Sequence, residues 1–210
     1  IALGYPALAL TDTNLCGAFE FAKLAGRMGI KPITGGQITL ADGSRITLLA
    51  RSKKGYANLS RLFTLANFVD RKDPRLDQSH LQEHAEGLFL ITGCSDSIVS
   101  RLLMDGEAGK ASALLRQYQK WFGPDAVYVG LQQNRVRGDT ARNRKLADLA
   151  LTCGAPLVAT NDAHYHIPQR AKLQNILTAI KGNCTLDEAI HEIKPNAEFY
   201  LKSSAQMSRL

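Results

Sequence analysis

The chain is poor in residues that staple, span or repeat. Its four cysteines, Cys16, Cys94, Cys153 and Cys184, lie far apart and form no C-x-x-C pair. That excludes a zinc knuckle and a secreted disulfide framework, so a reducing, cytoplasmic setting is expected. No apolar run approaches membrane-spanning length, and no charged, then apolar, then small-residue signal opens the chain, so no membrane partner is expected. Internal repeats and low-complexity tracts are absent, and the composition is that of an ordinary globular domain. The first residue is Ile1, not Met, and the chain enters at once on what reads as the end of a helix. Sequence missing ahead of Ile1 is therefore expected. Acidic residues are the minority charge, 19 against 26 Lys and Arg, for a formal charge of +7. Such an excess suits a polyanion partner, though many enzymes share it.

What is present is an alternation of strand and helix signals. Residues 7–12 read as a strand ending in an acid. A helix follows over 14–28, with Leu15, Ala18, Phe19, Ala22 and Ala25 on one face and Gly29 as its stop. Residues 30–40 read as a strand interrupted at Gly35-Gly36, and Asp42-Gly43 turns the chain into a returning strand over 45–50. A helix carrying Tyr56, Leu59, Leu62, Phe63 and Ala66 comes next, then a polar loop over 70–86 with room for a short helix. Further strands are expected over 87–93, 126–131 and 156–160, the last fully buried. Helices are expected over 97–104 and 107–122, from the basic stretch beginning at Arg135 to Gly154, and over 169–181. Thr185 to Glu188 and Ser203 to Gln206 have the spacing of capping boxes. This rhythm indicates an α/β protein with a mainly parallel sheet, open or closed into a barrel.

In such sheets reacting groups gather at the carboxyl ends of strands. If the strands converge, one rim collects Asp12-Thr13, Gln37, Arg45, Cys94, Gln133-Asn134, Asp162, His164 and His166. Carboxylate and imidazole donors suit Zn, Mn or Fe, and several such ions together activate water for phosphoester hydrolysis. Plainer readings stand beside this one. Asp12 can cap the following helix, Asp162 can cap a turn, and His164 and His166 can be half-exposed. Cys94 can be a small buried residue and Arg45 a solvated one. The cluster Arg135, Arg137, Arg142, Arg144 and Lys145 is either a solvated helix face or, through Arg135, Arg137 and Arg142, a set of DNA phosphate contacts. Cys16, Cys153 and Cys184 read as packing residues.

The motifs Ala7-Leu-Ala-Leu-Thr-Asp12, Asn14-Leu-Cys-Gly17, Gly29-Ile-Lys-Pro-Ile33, Gly55-Tyr-Ala-Asn-Leu59, Thr92-Gly-Cys94 and Val158-Ala-Thr-Asn-Asp-Ala-His164 resemble the polymerase-and-histidinol-phosphatase (PHP) domain. The version resembled is the one in bacterial DNA polymerase III alpha subunits. The tail, Leu173 to Ile180 with Pro195-Asn-Ala-Glu198 and Tyr200-Leu-Lys202, is closest to the error-prone members. The resemblance implies a distorted seven-stranded β/α barrel, TIM-like, here lacking its first strand. It implies a PHP domain over 1–194 and the start of a connection to polymerase domains over 195–210.

Active members of the family hold metals at the strand ends. Carried over position by position, Asp12, Cys94, Asp162 and His164 match ligands, whereas Thr13, Gln37, Arg45 and Asn134 stand where ligands are lost. The expectation is a vestigial site without catalytic residues or a bound cofactor, in which Arg45 fills the metal volume and holds Asp12 or Asp162. A single Zn or Mn on Asp162, His164 and Cys94 or His166 is the alternative, and Mg is expected for the parent polymerase. The resemblance implies a mainly structural domain of a DNA-directed DNA polymerase of replication or translesion repair. Its partners would be the remaining domains of the same chain and DNA, with a dimer of the truncated piece expected from its open edge. The competing readings are an active metal-dependent phosphoesterase or 3′–5′ exonuclease, and a non-catalytic DNA-binding module.

Overall fold

The computed structural model describes residues 1–210, the side chain of Val69 excepted. Six strands form one curled sheet, a partial barrel, in the order of the sequence. They are β1 (Ala7–Leu10), β2 (Lys31–Thr39), β3 (Arg45–Ala50), β4 (Leu88–Thr92), β5 (Val127–Gln132) and β6 (Leu157–Thr160). β1 runs parallel to β2, β3 is antiparallel to both its neighbours, and β4, β5 and β6 are parallel. The helices are α1 (Ala18–Arg27), α2 (Lys53–Val69), α3 (Ser79–Glu83), α4 (Ile98–Met104), α5 (Ala108–Phe122), α6 (Asp139–Cys153), α7 (Ala171–Gly182) and α8 (Ser204–Met207). β1 and β6 each pair on one side only, so the sheet has two open edges.

The core lies between the sheet and α2, α4, α5 and α6. Ile46, Leu48, Leu90, Val127 and Val129 from the strands meet Leu59, Leu62, Val99, Leu115 and Leu146 from the helices, all buried. Each such side chain removed from water contributes about 1.5–3 kcal/mol, which fixes the register of the middle strands.

The structure alters four sequence expectations. β2 is not interrupted at Gly35-Gly36. A Cβ on Gly36 would lie 2.4 Å from the Phe63 ring, so the glycine lets α2 settle onto a continuous strand. Phe19 and Tyr56, expected on buried faces, are exposed. So is Cys16, expected to pack, in the loop before α1. β6 is not buried on both faces: Leu157 is exposed, because β6 is an edge and α7 packs on its flanking 3-10 turns instead. The two capping boxes form as expected, Thr185 with Glu188 and Ser203 with Gln206.

Where α2 crosses the start of β4, a Cβ on Gly55 would meet the Gly87 carbonyl oxygen at 1.8 Å. Backbone on both sides leaves no side chain to yield. Gly55→Ala is therefore expected to cost about 2–3 kcal/mol, the upper range for overpacking, read as a lowered urea midpoint with an unchanged m value. An unchanged midpoint would refute the close approach.

Candidate functional site

The topology explains why the candidate residues share one rim. β1, β2, β4, β5 and β6 all run toward it, and antiparallel β3 starts from it with Arg45 opposite Thr39. Asp12 follows β1, Cys94 follows β4, Asn134 follows β5, and Asp162 and His164 follow β6. They do not converge on one point. Among the described residues no three His, Cys, Asp or Glu side chains are grouped so as to hold a metal ion.

Asp162 is the electrostatic centre of the rim. Its backbone is left-handed, φ 46°, a conformation Asp tolerates better than most residues. One carboxylate oxygen, Oδ2, accepts a hydrogen bond from Lys194 Nζ at 2.6 Å. The other lies 3.3 Å from His164 Nε2. Burial opposes the charge, but the His164 hydrogen bond and the Lys194 ammonium outweigh it and hold the carboxyl well below the usual carboxylate range. Lys194 also lies over the Phe199 ring, 4.7 Å from its centre, and His164 meets that ring edge-on.

Lys194 opens a segment, residues 194–202, that lies across the ends of β5 and β6. The His164 and Tyr165 amides donate to the Phe199 carbonyl, and the Leu201 amide donates to the Tyr165 carbonyl. Asn161 donates through Nδ2 to the Glu198 and Tyr200 carbonyls. Its Oδ1 accepts from Lys202, a lysine only 2% exposed that also pairs with Glu198 at 3.3 Å. Burial pushes the Lys202 pKa down; hydrogen bonding and charge attraction from Glu198 work the other way. Asn134 is buried and its side chain donates to the Asn161 carbonyl at 3.0 Å, while its backbone carbonyl accepts from Asn196. A polar scaffold thus fills this side of the rim.

Other candidates fall elsewhere. Arg45 does not hold Asp12 or Asp162. It pairs with Asp96 at 3.2 Å, half-exposed, because β3 turns its first residue toward the loop after β4. The cation on Asp162 is Lys194. Asp12 is exposed and caps no helix, since α1 begins only at Ala18; its Oδ1 accepts from the Thr13 amide and its carbonyl from the Gln37 amide. Thr13 and His166 are exposed, and Gln37 is half-buried. Burial and then the Asp96 charge push the Cys94 thiol up to about 11, so it is protonated at neutral pH, and it points to the Arg45 carbonyl at 3.7 Å.

Arg142 is not a surface phosphate contact. It pairs with buried Asp139 at 2.9 Å and donates to the Gln132 carbonyl. Arg137 is exposed, and Arg135 reaches Glu198 at 3.6 Å.

The donor set does not fit a multinuclear metal centre. Asp162 already has a fixed ammonium, and Gln37 and Asn134 are neutral amides. Sequence reasoning missed Lys194, Asn161 and Lys202. The signal was faint: two lysines bracketing an apolar Phe199-Tyr-Leu201 run that has no period of its own.

The PHP domain family matches residues 1–134. Over 95% of its length the chain is 36% identical to an error-prone DNA polymerase of Symbiobacterium thermophilum. Over 99% it is 36% identical to a DNA polymerase III subunit alpha of Pseudomonas aeruginosa, and 32% identical to an error-prone DNA polymerase of Mycobacterium bovis. These alignments take up 20%, 18% and 20% of those relatives, so the chain spans about a fifth of their length. The crystal structure of PsfC from Pseudomonas syringae matches with a TM-score of 0.44 and 14% identity over 76% of this chain and 62% of that one, too remote to inform function.

Proposed function

Because this chain belongs to the PHP domain family, with relatives among DNA polymerase III alpha subunits and error-prone DNA polymerases, we propose that it is the PHP domain of such a polymerase. In this reading it serves replication or translesion repair in the cytoplasm as a structural platform beside the other domains of its chain. Nucleotidyl transfer, with Mg, belongs to those domains, and DNA reaches this one through them. The open edges of β1 and β6 support a dimer when the domain is separated from its neighbours.

The observation that carries the platform role is the Lys194 ammonium, 2.6 Å from Asp162 Oδ2. A cation covalently tied to the chain takes the charge a metal would take, and it cannot polarise water or stabilise a leaving oxygen as a divalent ion does. The surviving ligand-type residues are then structural, held by the 194–202 segment.

Metal analysis and hydrolysis assays test this directly. The purified chain, incubated with Zn or Mn and desalted, is expected to retain well under one ion per molecule. It is expected to hydrolyse neither p-nitrophenyl phosphate nor single-stranded DNA in a metal-dependent way. Stoichiometric metal with metal-dependent turnover would establish the phosphoesterase or exonuclease reading instead.

A further inference from the structure

With Arg142 engaged by Asp139, the basic surface of the domain has to be sought elsewhere, and the exposed side of α2 is the strongest candidate. Arg51, Lys53, Lys54 and Arg61 are exposed, and no Asp or Glu occurs from Arg51 to Phe68. Among the described residues none of these four is in an ion pair. Arg51 only overlies the Phe89 ring, at 5.2 Å. The nearest acids in sequence are Asp42 and Asp70, and the Glu86 carbonyl is brought to α2 by the fold. Asp70 is the C-cap of α2, and the Glu86 carbonyl holds Asn58.

Two features distinguish this surface from an ordinary solvated face. Lys53 and Lys54 occupy the first turn of α2, which has no acid. Positive charge there opposes the helix dipole, at a cost of roughly 0.3–1 kcal/mol per charge, which an anionic partner would reverse. At the other end Phe68 is 78% exposed and lines an open cleft of about 460 Å³ with Phe63, Thr64, Asn67 and Arg71. Lys53, Arg61, Thr64 and Phe68 follow helical spacing along one side, a run of about 22 Å at 1.5 Å per residue.

We propose that the exposed side of α2 is a binding surface for single-stranded DNA, with Lys53, Lys54 and Arg61 tracking phosphates and Phe68 stacking on a base in the cleft. Cations following a backbone beside a free aromatic platform are the two elements of sequence-independent single-strand binding. A plain phosphate-binding patch would not need Phe68, and a docking site for an apolar protein surface would not need four unpaired cations. The choice of DNA as the polyanion rests on the polymerase reading above.

Fluorescence anisotropy of a labelled oligothymidylate on the 210-residue chain tests the surface. Binding is expected to weaken steeply between about 50 and about 200 mM salt. The triple change Lys53→Gln, Lys54→Gln, Arg61→Gln is expected to lower affinity at least about tenfold and flatten the log–log salt slope by about 2. Phe68→Ala is expected to weaken single-strand binding about tenfold and leave duplex binding unchanged. All four positions are exposed, so the variants should stay folded, with the triple variant melting at or slightly above the parent because two charges no longer oppose the helix dipole. Unchanged affinity and slope in the triple variant overturn the proposal. So does equal binding of an acidic polypeptide that is indifferent to Phe68, which would assign the surface to a protein partner. Absence of DNA binding by the parent chain also overturns it, while leaving the platform reading to its separate metal and hydrolysis test.

Discussion

Asp139→Ala is expected to lower stability by about 3–5 kcal/mol. Asp139 is 3% exposed and opens α6, where a negative charge also favours the helix dipole. Its Oδ2 accepts from the backbone amides of Asn134 and Val136 at 2.8 and 3.1 Å, and its Oδ1 accepts from Arg142. Alanine would leave two amides and a nearly buried guanidinium without a partner, which is the costly way to break a buried pair. At 2–4 °C per kcal/mol for a domain of this size, the melting temperature should fall by roughly 6–20 °C. Arg142→Met should cost less, about 1–3 kcal/mol, because Asp139 keeps its two amide partners. Neither change should alter the salt dependence of DNA binding, since neither group is on the surface. A melting temperature within a degree of the parent for Asp139→Ala would show that the loop over 134–138 is held by something else.

Lys194→Met is expected to destabilise the rim by about 2–3 kcal/mol, short of the full cost of a broken buried pair because Asp162 and Lys194 are each one-quarter exposed. Methionine keeps most of the side-chain volume, so the loss reports the missing charge. Adding Asp162→Asn should recover about half of it, since the orphaned carboxylate is what costs most. The pH dependence carries a separate signature. Asp162 has a depressed pKa in the folded state, so its contribution is fully present above the unfolded value of about 3.9 and is lost as pH falls through the folded value. The parent's stability should therefore drop steeply below about pH 4. In Lys194→Met the burial penalty on Asp162 is opposed only by His164, its folded pKa rises, and the acid limb becomes shallower. Identical limbs in parent and variant would rule out the ion pair as the stabilising contact.

Both changes bear on the same physical point. The carboxyl ends of β5 and β6 are organised by ion pairs and amide hydrogen bonds internal to the chain. A rim held by such internal contacts fits the proposed platform role. The Asn134 side chain donates to the Asn161 carbonyl, and its backbone carbonyl accepts from Asn196.

The amino-acid sequence alone determined the order and kind of the elements, because these depend on local signals. Gly29 and Gly154 end helices, Asp42-Gly43 turns a hairpin, Ser52, Ser97 and Ser203 cap helices, and the apolar runs at 45–50, 88–92 and 127–132 are strand-length. The family was legible for the same reason, since its motifs sit at the ends of these elements. Burial at the margins was not. Phe19, Tyr56 and Leu157 follow core-like patterns yet lie exposed, because whether a face is covered depends on what packs there and not on its period. The site was decided by tertiary structure. Asp162 and Lys194 are 32 residues apart, and Asn161 and Lys202 are 41 apart, each pair joined only when residues 194–202 fold back over the strand ends. Arg45, nearer to expectation, is drawn off by Asp96, a residue of the loop that antiparallel β3 happens to face. Charge pairing across such distances has no signature in spacing, so the sequence could name candidate residues at the strand ends but not the cation that pairs with Asp162.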